Sequence, residues 1–209
     1  KSTILSANTD YLLITSGNSA KASDIGKAVL QAKRKGLREE SVRTLYDLLI
    51  ELVANSTEHA YKIDVSGKRA NATSRQTKKR ASFEPRKRWW LSMITSDPRK
   101  IIFCVLDDGM SIPKTLKSNP SMSLKIMLKQ LTDDLQIIKF ALTGKWRSST
   151  RKKGRGRGLT RLNNYTSEGQ VNNLYIISNR GYYCSMPNKS AKLGTPLKGT
   201  MVYWEMKRS

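Results

Sequence analysis

Apolar positions recur with two different periods along this 209-residue chain, and each change of period marks an element. Residues 10–16, DYLLITS, predict a short strand that runs into the turn residues Gly17, Asn18 and Ser19. Over 20–35 the apolar residues Ile25, Ala28, Val29 and Ala32 return at helical spacing, and Gly36 suits the helix C-terminus. The next helix, about 38–61, is the clearest in the chain: Val42, Leu45, Leu48, Leu49, Leu52, Val53 and Ala60 form one stripe. Residues 66–82 have no period and are rich in Ser, Thr, Lys and Arg, which predicts a basic loop. RWWLSMIT (88–95) and KIIFCVLD (100–107) flank SDPR, whose Asp-Pro is a turn signal, so they predict a β-hairpin. A single amphipathic helix is expected over 122–142 through Leu124, Met127, Leu128, Leu131, Leu135, Ile138 and Leu142. A short helix near 159–167 and strands at 173–178, 182–186 and 200–206 complete the chain. That order predicts a two-layer α/β sandwich, a mixed and mostly antiparallel sheet covered by helices on one face.

The length fits one domain, read as a strand-helix extension over 1–36 and a main domain over 37–209. The longest apolar runs, such as IIFCVL (101–106), fall far short of the roughly 20 residues that a membrane helix needs. A cytoplasmic chain with no membrane partner is therefore expected. Cys104 and Cys184 are too few for a disulfide framework, and with one histidine there is no zinc-type cluster, so both thiols are expected to be inert and buried in the core. The formal net charge of +23 changes the picture more, because it attracts polyanions: nucleic acid, nucleotide phosphates or an acidic protein. The charge is concentrated in residues 68–90 and again in 139–165, which contain no Asp or Glu between Lys139 and Tyr165.

Four separate stretches carry candidate chemistry. In LLIELVANSTEHAY (48–61), Glu51 and Asn55 stand one helical turn apart on one face, with Glu58 and His59 beyond them. A carboxamide oxygen suits Mg²⁺, and a neighbouring carboxylate can activate a nucleophile attacking a phosphoryl group. In VLDDGMSIP (105–113) an apolar strand ends in Asp107-Asp108-Gly109, where a buried carboxylate can accept a hydrogen bond from the exocyclic amine of adenine. The plainer alternative there is a strand-ending turn. In KGRGRGLTRL (153–162), Gly154, Gly156 and Gly158 precede a helix whose first amides can meet phosphate, although an Arg/Gly-rich RNA-binding segment would read similarly. No P-loop pattern occurs. In LKGTMVYWEM (197–206), Gly199-Thr200 opens the last strand.

In this order the four stretches resemble the boxes of the GHKL ATPase superfamily, whose Bergerat-fold nucleotide site is shared by type II topoisomerases, mismatch-repair ATPases, heat-shock chaperones, histidine kinases and anti-sigma-factor serine kinases. The resemblance covers about residues 38–206. Glu51 and Asn55 match the N box, Asp107 and Gly109 the first glycine box, Gly156, Gly158 and Leu159 the second, and Gly199 and Thr200 the third. It implies ATP and Mg²⁺ as ligands, with Asn55 on the metal, Asp107 on the adenine amine, Thr200 supporting that contact and Glu51 as general base. It also implies a lid over the phosphates around 144–159. Glu51-x-x-x-Asn55-x-x-x-His59-x-Tyr61 is most similar to the serine-kinase branch and to stand-alone bacterial ATP-binding proteins. Two departures stand out. Ser111 replaces the second glycine of the first box, and the lysine that some hydrolysing members bring from a following domain has no counterpart except Lys145, Lys152 or Lys153 in the lid.

Three outputs are consistent with this pattern. The first is phosphoryl transfer from ATP, either hydrolysis or Ser/Thr protein phosphorylation, coupled to a lid movement. A nucleotide-gated module that binds a protein partner with little turnover is the second. The third is a nucleic-acid-associated ATPase that uses the basic loop 68–90, the lid, and Trp89, Trp90 and Trp146 for stacking.

Overall fold

The computed structural model describes residues 12–17, 21–58, 88–144 and 158–209. Among these, five strands form one sheet: β1 (Leu12–Gly17), β2 (Trp89–Ile94), β3 (Lys100–Asp107), β4 (Asn172–Cys184) and β5 (Ala191–Lys207). Their order is β1-β2-β3-β5-β4, and every pairing among the described residues is antiparallel, in line with the mostly antiparallel sheet expected from the sequence but with no parallel pair among these strands. Six helices accompany it: α1 (Ala22–Arg34), α2 (Glu39–Glu58), α3 (Ile112–Lys117), α4 (Pro120–Leu128), α5 (Asp134–Leu142) and α6 (Gly158–Ser167). None is long and apolar enough to cross a membrane.

Strand alternation sets the layers. On β2 and β3 the residues Trp89, Leu91, Met93, Ile101, Phe103 and Val105 are buried, while the residues between them are half-buried. The buried set joins the stripe of α2 (Leu45, Leu48, Leu49, Leu52, Val53) and residues of α1, α5 and α6 in one core. Phe103 and Trp204 face each other across β3 and β5, their rings stacked with centroids 5.5 Å apart. The tryptophan pair is divided: Trp89 is a core residue, which removes it from any stacking surface, and Trp90 is half-buried.

Helix ends follow local chemistry. Gly36 adopts φ +87 after α1, and the amide of Leu37 returns to the carbonyl of Ala32 at 2.9 Å, so the glycine stop read from the sequence is a Schellman-type cap. The single helix expected over 122–142 is instead two helices. After α4, Gln130 turns into the left-handed region at φ 51, with Leu131 N–H on Ile126 O (3.1 Å) and Gln130 N–H on Met127 O (2.9 Å). Asp133 then caps α5 by accepting the Gln136 amide at 2.8 Å. A further helix, α3, was not expected; Ser111 caps it and Pro113 stands in its first turn. The strands expected at 173–178 and 182–186 are one long strand, β4, kept continuous by register shifts against β5.

Both cysteines are free. Cys184 is buried as expected, whereas Cys104 is half-buried on the alternate face of β3, and burial still pushes its thiol pKa up.

Candidate functional site

The C-terminal half of α2, the end of β3, the start of α6 and the inner part of β5 meet at one place. Their contacts can be followed residue by residue. Asp107 is the last residue of β3 and pairs directly with Thr200 of β5. Its carboxylate accepts the amide of Gly109 at 3.0 Å and lies 3.4 Å from the hydroxyl of Ser56 on α2, which also reaches Leu52 O at 2.9 Å. Only 7% of Asp107 is exposed, and this burial raises its pKa from 3.8 to about 6 against the opposing pull of the Gly109 amide and the Ser56 hydroxyl.

Thr200, also buried, shares a hydrogen bond with Ser178 of β4 at 2.9 Å. The same Ser178 hydroxyl accepts the amide of Ile112 at 2.8 Å and thereby ties the first turn of α3 to the strand pair. Gly199, at φ +90, lies flat against the β3 terminus: a Cβ there would stand 1.9 Å from the carbonyl oxygen of Asp107. Ser111 has φ -64 and ψ 156, a conformation that asks for no glycine, and its hydroxyl accepts the Lys114 amide to start α3. The departure at this position thus has a local reason.

Glu51 and Asn55 do share one face of α2, and that face is covered by the beginning of α6. A Cβ added to Gly158 would lie 2.9 Å from Asn55 Nδ2 and 3.0 Å from Glu51 Cβ. Leu159 beside it is buried. One turn on, Arg161 donates to Glu51 Oε1 at 3.3 Å, in a pair whose glutamate side chain is 14% exposed. Gly144, at the end of α5, sits against Thr160, so that a Cβ there would come within 2.7 Å of its hydroxyl.

Glu51, Asn55, Asp107, Gly109, Gly158, Leu159 and Thr200 are therefore gathered around these contacts. Gly154 and Gly156 lie outside the described residues, as do His59, Tyr61, Lys145, Trp146, Lys152, Lys153 and nearly all of the basic loop. Ser56, Ser178 and Arg161 are parts of the site that the sequence reading did not single out. Only Arg161 carried a signal, as the cation one helical turn after Gly158; serines are too common to mark themselves.

The donor set bears on what could be held here. Among the described residues no group of three or more His, Cys, Asp or Glu side chains could hold a metal ion. One amide oxygen beside one carboxylate suits Mg²⁺, which commonly takes few protein ligands and completes its shell with phosphate and water. No protein-family model matches the chain, and no curated protein matches it.

Asp107 also makes a pH prediction. Its folded pKa is raised, so between about pH 4 and pH 6 the folded state binds more protons than the unfolded state. Its contribution to stability is complete below pH 4 and is lost as pH rises through about 6. Asp107→Asn is expected to remove that slope. Denaturant melts of both proteins from pH 4 to 8 check this.

Proposed function

We propose that the chain is a Mg²⁺-dependent ATP-binding domain of the Bergerat, GHKL type, transferring the terminal phosphoryl group to water or to a protein Ser/Thr hydroxyl. What supports the reading is a convergence. Residues from four stretches up to 149 positions apart share one cluster, with Ser56 touching Asp107, Asp107 paired with Thr200, and Gly158 packed on Asn55 and Glu51.

Each residue then has a task set by its chemistry. The ionised Asp107 carboxylate accepts from the adenine amine, and its fixed position comes from Gly109, Ser56 and the β5 pairing. Thr200 and Ser178 present a pair of hydroxyls beside it. The Asn55 amide oxygen serves as the protein ligand to Mg²⁺, which when bound neutralises phosphate charge. Glu51 orients and deprotonates the attacking hydroxyl, with Arg161 fixing its carboxylate. Gly158 opens α6, whose first-turn amides suit a phosphate oxygen.

The test separates metal-assisted from bare nucleotide binding. Asn55→Ala is expected to weaken ATP binding in magnesium and to leave binding in EDTA unchanged. Equal affinities of the two proteins in magnesium would remove Asn55 from the metal and undercut the proposal.

A further inference from the structure

The largest exposed apolar side chains among the described residues gather on one helix. On α4, Leu124 is 52% exposed, Met127 66% and Leu128 71%. They stand at i, i+3 and i+4, so they form one continuous outer face, while Met122 and Ile126 point into the core. The patch is on the order of 300–400 Å², within the range of the largest apolar patch on a typical monomer, and such patches are often functional.

The fold does not need this face. At its N-terminus α4 is held by Asn119, which accepts the Ser121 amide at 3.1 Å and the Met122 amide at 3.4 Å, with Pro120 opening the helix. At its C-terminus the Gln130 and Leu131 amides close a Schellman motif. A helix of nine residues capped at both ends and anchored by Met122 and Ile126 forms without three large apolar groups facing water. Solvation alone would favour polar residues at those positions.

Charge identifies the occupant. Residues 109–132 contain Lys114, Lys117, Lys125 and Lys129 and no Asp or Glu. The nearest acids further along are already engaged. Asp133 caps α5, and Asp134 accepts from Asn179 while lying 3.6 Å from Lys117. Lys125 and Lys129 lie on the same stretch as this apolar face, the Lys129 ammonium standing 6.0 Å from the centroid of the Phe140 ring, and the stretch holds no carboxylate of its own.

We propose that α4 is the docking surface for an acidic, amphipathic segment of a partner protein, whose apolar side chains cover Leu124, Met127 and Leu128 while its carboxylates meet Lys125 and Lys129. This is helix-to-helix recognition by periodic anchors with an electrostatic rim. It extends beyond nucleotide binding and stands whether or not the chain binds ATP.

The probe is a fluorescein-labelled 18-residue peptide built of Glu, Ala and Leu, with its leucines at i, i+3, i+4 and i+7. A second peptide of identical composition has the leucines scattered. The wild-type chain is expected to bind the patterned peptide at least tenfold tighter than the scattered one, by fluorescence anisotropy in moderate salt. That preference disappears in Leu124→Gln/Met127→Gln/Leu128→Gln, which alters only exposed side chains. A Lys125→Glu/Lys129→Glu variant, leaving the apolar face intact, is expected to weaken patterned-peptide binding about tenfold. Equal binding of both peptides by the wild type, or unchanged preference in the triple variant, overturns the proposal. So does wild-type self-association in sedimentation that the triple variant abolishes, which would assign the face to a second copy. Vesicles of four parts phosphatidylcholine to one part phosphatidylserine provide the last arm: binding them in place of the patterned peptide would overturn the proposal in favour of a lipid surface.

Discussion

Gly199→Ala is expected to cost about 4 kcal/mol or more of folding stability and to lower the thermal midpoint by about 10 °C. The reason is local and severe. The new methyl would lie 1.9 Å from Asp107 O, 2.7 Å from its carbonyl carbon and 3.0 Å from Asp108 Cα, all backbone atoms that no side-chain rotation can clear. Gly199 also has φ +90, a conformation that alanine adopts only with strain. Relief requires β5 to move away from β3 where Asp107 pairs with Thr200, so nucleotide binding should be lost along with stability. Gly194→Ala, on the same strand with nothing within 4 Å of the added carbon, is the control and should leave the midpoint unchanged. Differential scanning calorimetry of the three proteins makes the comparison.

Glu51→Gln should reduce phosphate release or phosphoryl transfer by 10²- to 10⁴-fold, the usual worth of a positioned general base. Affinity for Mg-ATP should stay within a few-fold of wild type, because the amide keeps the shape of the carboxylate and can still accept from Arg161. A phosphate-release assay beside a binding titration reads the two effects separately. Unchanged turnover would reduce Glu51 to the ion-pair partner of Arg161, a role that by itself brings little stability for a partly exposed pair.

Much of this arrangement could be read from the chain, and the reasons differ by element. The stripe of α2 is legible because Leu45, Leu48, Leu49, Leu52 and Val53 face one side, although Tyr46 on the same helix is exposed, and the β2–β3 hairpin because Asp97 and Pro98 punctuate two apolar runs. Residues 122–142 misled for an equally physical reason. Leu124, Met127 and Leu128 are apolar but exposed, so they imitate a core stripe that continues through a break made by Gln130, a residue seldom found in the left-handed region. Helix α3 escaped because six residues are too few to show a period. Pairing direction was legible for β2–β3, read as a hairpin, but not for the other strand pairs, whose neighbours are set by contacts between distant stretches of the chain.

Within the candidate site, the carboxylates, the asparagine and the glycines were visible as residue types placed at helix and strand ends. Ser56 and Ser178 were not, because their importance comes from contacts made across the fold, to Asp107 at 3.4 Å and Thr200 at 2.9 Å, and not from any spacing along the chain. The raised pKa of Asp107 was likewise not readable, since it depends on how completely α2, β3 and β5 close around the carboxylate.

The most direct measurement is a calorimetric titration of ATP with Mg²⁺ into the wild-type chain and into Asp107→Asn, at pH 7.5 and in salt high enough to suppress phosphate binding to a surface of net charge +23. Saturable binding of one ATP per chain by the wild type, lost in a variant that is still folded, is the predicted result. Equal binding by both proteins, or none by either, would contradict an adenine site at Asp107 and with it the proposed ATP-binding function.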